Sequence, residues 1–255
     1  MLLVVDMGNT NITLGVFEDK DLLFQSRVAT DRTKLRDQYA VELMNILALH
    51  HTDPQTIDGA IISSVVPHLN HTMSSAIEQV IGVTPLTVGP GIKTGINIRI
   101  DDPSTLGADL LVGAVAAVAE VGAPCIIWDL GTATTVSYVD KEGAFRGVSI
   151  MPGVITGLAS LTQRASLLPS ISVDAPKKVI GTNTVHSLQS GAVYGTAAMI
   201  DGMNARIIEE IGCDAPVVLT GGLGRHIIGE CRHNIRYVDE LLLIGLRLIY
   251  EKNKK

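Results

Sequence analysis

The sequence predicts an α/β protein in which one unit is written twice. Three observations carry that expectation. The apolar run 2-LLVV-5 leads into 6-DMGNTN-11, and the apolar run 125-CIIW-128 leads into 129-DLGTATT-135, so strand and turn recur with Asp6 and Asp129 almost half of the 255 residues apart. Each turn is followed by two more strand-like runs separated by charged or glycine-containing turns, Glu18 to Asp21 in one copy and Lys141 to Gly143 in the other. The rest of each half alternates helix-period stretches with short apolar strands, the pattern that places helices against a partly parallel sheet.

Taken in order, 2-LLVV-5, the alternating Ile12/Leu14/Val16 and the run Leu22 to Val28 predict an antiparallel meander. Residues 37–51 place Tyr39, Val41, Leu43, Ile46 and Leu47 at helical spacing, and 59–66 is a buried strand stopped by Pro67. A helix over 69–82, a strand over 85–88, the loop 89-GPGIKTG-95 and an Ala/Val-rich helix over 106–122 complete the first half. Strands over 125–129, 134–140 and 144–151 repeat the meander. Helices over 155–167 and 184–211, a strand over 216–220, a Gly-Gly turn and a helix ending at Tyr250 follow. The expected division is 1–118 and 119–255, two α/β domains each with a mixed sheet opened by a meander.

Composition removes several function classes. Net charge is −6 with no basic tract and aromatics are 4% of the chain, so neither phosphate neutralisation nor base stacking supports nucleic-acid binding. No apolar run reaches the roughly 18 to 20 residues of a membrane span, and the start lacks the pattern of a signal peptide. Three scattered cysteines make neither a disulfide framework nor a zinc site, and a cytoplasmic location is expected.

Either Asp-Gly-Thr turn alone could be an ordinary hairpin. Written twice, at the carboxyl ends of apolar strands, the turns suggest more. Gly8 and Gly131 let a phosphate approach backbone N–H groups, Asn9, Thr10, Asn11, Thr132 and Thr135 add donors, and Asp6 and Asp129 remain to hold accompanying cations. A third turn, Thr220-Gly221-Gly222, offers bare backbone on which an adenosine could lie. No G-x-x-x-x-G-K-[ST] occurs, and no G-x-G-x-x-G follows the first strand.

Together these three turns resemble the phosphate 1, phosphate 2 and adenosine turns of the acetate and sugar kinase, heat-shock and actin superfamily. Within it the chain closely resembles type III pantothenate kinases, also through 62-ISSVVP-67, 89-GPGIKTG-95, 107-GAD-109, 180-IGTNT-184 and 245-GLRLIYE-251. The resemblance implies a duplicated ribonuclease-H-like, actin-like ATPase fold and ATP-dependent phosphorylation of pantothenate, the first step towards coenzyme A. It implies Asp109 as general base, Asp6 organising Mg²⁺, and Asp129 beside a monovalent cation, K⁺ or NH₄⁺. It further implies a substrate site at Gly107, Ala108, Asp109 and position 110, and a homodimer in which Thr184 reaches the neighbouring subunit's pantothenate pocket. The plain alternatives are a carboxylate stabilised at a helix N-terminus for Asp109 and a helix N-cap for Thr184. The small-residue helices 113–119 and 191–198 are candidates for the dimer seam.

Two positions depart from the family pattern. Its usual arginine after Gly-Ala-Asp is Leu110 here, and its usual tyrosine before the Asp-x-Pro loop is Ile100. A lost charge-assisted contact is worth about 1.5–3 kcal/mol, roughly one to two decades in affinity or rate. Three outcomes stay open: a pantothenate kinase in which Arg99 or Lys93 compensates, a kinase of another small alcohol, or a nucleotide-dependent regulatory paralogue.

Overall fold

Each half opens with a strand whose side chains are apolar on both faces and closes that strand with a glycine turn. A computed structural model describes residues 1–254. In the first half β1 (Leu2–Met7), β2 (Asn11–Glu18) and β3 (Asp21–Ala29) form the meander. Then come α1 (Arg36–Leu49), β4 (Gly59–Ser64), α2 (Pro67–Ile81), β5 (Leu86–Thr87), β6 (Asn97–Ile98) and α3 (Ala108–Val121). In the second half β7 (Cys125–Leu130), β8 (Ala133–Val139) and β9 (Ala144–Pro152) repeat the meander, followed by α4 (Val154–Arg164) and α5 (Thr184–Ile211). The chain ends with β10 (Val217–Thr220), the short α6 (Gly224–Ile227), β11 (Ile235–Tyr237) and α7 (Leu241–Asn253). Among the described residues no helix is long and apolar enough to cross a membrane.

The two sheets have one topology. The first runs β3-β2-β1-β4-β5, and the second runs β9-β8-β7-β10-β11 with β6 added beyond β9. In both, the meander is antiparallel and the crossovers are parallel: β1 beside β4 and β4 beside β5, β7 beside β10 and β10 beside β11. The expected fold class therefore stands.

In the first sheet, alternation along β1 sends Leu3, Val5 and Met7 to α1 and α2, where Tyr39, Leu43, Leu69 and Ile77 bury them. Leu2 and Val4 turn to the opposite face, against Val112 and Val115 of α3 and Leu243, Leu246 and Ile249 of α7. These five α3 and α7 side chains are each at most 5% exposed. Full burial of such a side chain stabilises by about 1.5–3 kcal/mol. In the second sheet Ile126, Trp128 and Leu130 face Ala197 and Ile200 of α5. Asn204 of α5 accepts the Trp128 indole N–H at 2.8 Å, which fixes the register of that helix in an otherwise apolar contact.

The chain divides into two compact units that differ from the expected split at 118/119. Unit 1 comprises Met1–Ile96, Asp102–Ala116 and the residues from Leu241 on, and unit 2 comprises Asn97–Asp101 and Ala117–Glu240. The difference has two causes. The apolar face of α7 is buried on the first sheet, and the strand β6 pairs with β9. A second correction concerns the helix 113–119. Its small residues are used inside the protein: Gly113 lies against Leu242, and Gly245 presses on the Val112 carbonyl so closely that a methyl group there would lie 2.2 Å from it.

Candidate active site

In unit 1 the first turn is built by its backbone. Gly8 N–H donates to the Asn11 carbonyl at 3.0 Å, and the hydroxyl of Thr30 donates to the Gly8 carbonyl at 2.7 Å. Arg32 donates to Asn9 Oδ1 at 2.9 Å. Asn9, Thr10 and Asn11 face solvent at the turn, whereas Asp6 just before them is 9% exposed. In unit 2, Gly131 N–H donates to the Ala133 carbonyl at 3.1 Å, giving a shorter turn. Gly131, Thr132 and Ala133 are exposed, and Asp129 and Thr135 are half-buried.

Strand register surrounds both carboxylates with hydroxyl groups. Asp6 stands opposite Thr13 of β2 and Ser63 of β4. Asp129 stands opposite Thr135 of β8 and Thr220 of β10. Register partners on adjacent strands share a face and lie about 4.5–5.5 Å apart. Thr13 went unnoticed in the sequence, and Ser63 and Thr220 were read only within the stretches 62-ISSVVP-67 and Thr220-Gly221-Gly222 and not as neighbours of the aspartates, because a hydroxyl residue at a strand end reads as turn chemistry.

Asp109 sits in the first turn of α3, the helix packed on the same sheet face that carries Leu2, Val4 and Asp6. Gly107 precedes the helix and accepts the Leu111 N–H through its carbonyl at 3.3 Å. Its missing side chain makes room for the carboxylate: a methyl group on Gly107 would lie 2.5 Å from Asp109 Oδ1 and 3.9 Å from Val65, just after β4. Asp109 is thereby held at the end of β4 that also carries Ser63. Burial raises the Asp109 pKa above the usual carboxylate range, opposed in part by hydrogen bonds from the backbone N–H groups of Leu110, at 2.8 Å, and of Asp109 itself. Leu110 is half-buried on the same helix turn.

The Gly-Gly turn of unit 2 has a defined shape. Gly221 has φ +97°, and a methyl group on it would lie 2.6 Å from the Leu130 carbonyl, so only glycine lets this turn rest on the end of β7. Tyr237 donates to Asp239 at 2.9 Å and reaches the Gly221 carbonyl at 3.2 Å, while Arg225 pairs with Asp239. Burial and that aspartate push the Tyr237 phenol up to about 12. Gly222 is exposed beside it. Thus the turn after β7 and the Gly221-Gly222 turn meet within unit 2.

Two further expected site residues lie elsewhere in unit 2. Thr184 is the exposed first residue of α5, and the N-cap is Asn183, whose side chain accepts the His186 N–H at 2.9 Å. The cap alternative for Thr184 is thereby removed. Ile100 is half-buried two residues beyond β6. Cys125, whose thiol burial pushes up to about 12, is no nucleophile.

The model of the type III pantothenate kinase family matches residues 2–206. Curated type III pantothenate kinases are similar over the whole chain: that of Exiguobacterium sp. is 42% identical with full coverage of both chains, and that of Koribacter versatilis is 43% identical over 100% of this chain and 96% of its own. The chain belongs to the type III pantothenate kinase family. Solved structures add the fold alone. Component A of the (R)-2-hydroxyglutaryl-CoA dehydratase of Acidaminococcus fermentans aligns with a TM-score of 0.58 at 14% identity, covering 100% of this chain and 99% of that one. The ROK hexokinase of Thermus thermophilus aligns with a TM-score of 0.50 at 15% identity, with 99% of each chain covered.

Proposed function

We propose that this chain transfers the γ-phosphoryl group of ATP to the hydroxyl of pantothenate, with Asp109 as the base. The observation that carries the reading is the environment of Asp109: a desolvated carboxylate of raised basicity, cradled by Gly107, on the sheet face that carries Asp6. Phosphoryl transfer asks for positioning, charge neutralisation and an acceptor for the hydroxyl proton. Asp109 Oδ1 is engaged by the Leu110 N–H, which leaves Oδ2 to take that proton. The turn at Gly8 to Asn11 and Thr132 and Thr135 would donate to the phosphates, and Gly221 and Gly222 would receive the adenosine.

The donor set fits the expected ions. Asp6 with its hydroxyl neighbours offers hard oxygen ligands, and no group of three His, Cys, Asp or Glu side chains suited to a metal exists among the described residues. That chemistry suits Mg²⁺ arriving with nucleotide phosphates rather than a metal caged by protein alone. Asp6 would hold Mg²⁺, and Asp129, with Gly131 leaving space beside its carboxylate, would hold K⁺ or NH₄⁺. Bound there, the ions neutralise charge on the phosphates.

The same reading includes a homodimer. A groove of about 430 Å³ between α4 and α5 is lined by Gly157, Leu158, Leu161, Gly191, Gly195 and Met199 among others. Gly191 and Gly195 have nothing within 4 Å of an added methyl group, so this small-residue stripe is open to a second copy.

A second reading, with another small alcohol as acceptor or a regulatory role, is favoured by Leu110 and Ile100. Mass spectrometry of purified protein with ATP, Mg²⁺, K⁺ and pantothenate, alongside related alcohols, separates the two. Phosphopantothenate formed well above an Asp109→Asn control supports pantothenate as acceptor. Nucleotide binding without that product refutes it in favour of the second reading.

A further inference from the structure

We propose that Ser63 is a positioning residue for Asp6, its hydroxyl turning to the Asp6 carboxylate when Mg²⁺ and nucleotide load the first phosphate turn. The inference rests on the kinase reading above. Ser63 is 0% exposed, and its Oγ is without a hydrogen-bond partner. A buried hydroxyl left in that state is a cost that alanine would avoid, so strand formation gives no reason for serine here.

Direction follows from the alternation along β4. Ala60 and Ile62 belong to the cluster facing α1 and α2, whereas Ile61 belongs to the one facing α3 and α7. Ser63 therefore points to the α3 side, as its register partner Asp6 does. Parallel strands lie about 4.7–4.9 Å apart, so a change between staggered χ1 rotamers carries Oγ towards the carboxylate without moving the backbone. Two residues on, Val65 borders Gly107, the glycine that cradles Asp109. One strand end thus lies beside both Asp6 and Asp109.

The second unit carries a hydroxyl at the equivalent register. There Thr220 stands opposite Asp129 and donates to the Asp239 carbonyl at 3.4 Å. In the first unit the equivalent hydroxyl has no such backbone acceptor. A donor reserved for Asp6 would fix which carboxylate oxygen turns to the cation.

The test titrates Mg²⁺ into Ser63→Ala, Ser63→Cys and wild-type protein with a fluorescent, non-hydrolysable ATP analogue, repeats the binding in EDTA, and records Tm without nucleotide. Both variants are expected to need about tenfold more Mg²⁺ for half-maximal binding, as loss of one charge-assisted hydrogen bond implies. In EDTA they should match the wild type, and Ser63→Ala should keep or raise Tm. Cysteine keeps the volume but is a weak donor, so wild-type behaviour of Ser63→Cys would show that shape alone matters and overturn the proposal. Equal Mg²⁺ dependence in all three proteins, or weaker binding accompanied by a lower Tm, would overturn it as well. A wild type that binds no analogue would instead refute the kinase reading itself.

Discussion

Replacing Gly153 by alanine drives a methyl group into the turn at Gly131 and Thr132, the proposed second phosphate turn. The added carbon would lie 2.3 Å from the Gly131 carbonyl oxygen and 2.4 Å from that of Thr132, both backbone atoms that no rotamer change can move. The Thr132 carbonyl is also fixed from two sides, accepting the Gly153 N–H at 3.2 Å and the Thr156 hydroxyl at 2.7 Å. Opening the contact to the 3.0 Å that real side chains respect displaces the turn by roughly 0.7 Å. Overpacking of this kind costs about 1–3 kcal/mol, or about 2–12 °C in Tm for a chain of this size. Misplacement of reacting groups by about 1 Å costs on the order of 10²-fold in rate, so kcat/KM for ATP should fall by at least about tenfold. Steady-state kinetics with varied ATP, together with thermal unfolding, measures both effects. Gly147→Ala in β9 is the control, since nothing lies within 4 Å of its added methyl group, and it should leave both readouts near the wild type. A Gly153→Ala protein with wild-type kcat/KM for ATP would refute the claim that this glycine sets the position of the turn.

Asp109→Asn should abolish turnover and leave nucleotide affinity intact. Because burial raises the folded pKa, the folded wild type holds this proton more tightly than the unfolded chain does; stability is lost as pH rises from the ordinary carboxylate range through the raised value. The Asn variant lacks that loss, so its Tm should exceed the wild type's at pH 7 and converge with it in acid, while the acid limb of wild-type kcat/KM lies above the ordinary carboxylate range. Equal pH profiles of Tm would refute the burial argument. Leu110→Arg should raise kcat/KM for pantothenate by about tenfold or more; no change would mean that the acceptor is held by other groups. Gly195→Lys fills the open stripe on α5 without internal conflict and should halve the mass seen by light scattering, whereas a persisting dimer would place the interface elsewhere.

Much of the architecture was legible because its signals are local. The meanders follow from alternation and turn residues, and the long helix α5 begins and ends where Asn183 and Gly212 cap it. The strands β6 and β11 were missed, since two or three residues carry no period; they exist through pairing with β9, far away in sequence, and with β10. The apolar run 241-LLLIGLRLIY-250 announced a buried helix but not the sheet that buries it. In the site, the Asp-Gly-Thr turns could be read from residue chemistry. Asp109 could not, because Ala-Asp-Leu opening a helix suits any N-terminus; only the family resemblance singled it out, and the Gly107 cradle supplies the physical reason. Ser63 stayed hidden because its neighbour Asp6 is nearly sixty positions away.

The attachment of α7 to the first sheet also bears on how the protein is made. A ribosome delivers all of Ala117–Glu240 before it delivers the helix that covers Leu2, Val4 and Ile61. Until then those side chains lie open on a nascent sheet, and the loop at Lys93 and Thr94 lacks the clasp that Asn253 and Lys252 give it. The segment born second can therefore mature first, and the segment born first waits for its lid, a window in which a chaperone or a stray hydrophobic chain could compete for the same groove.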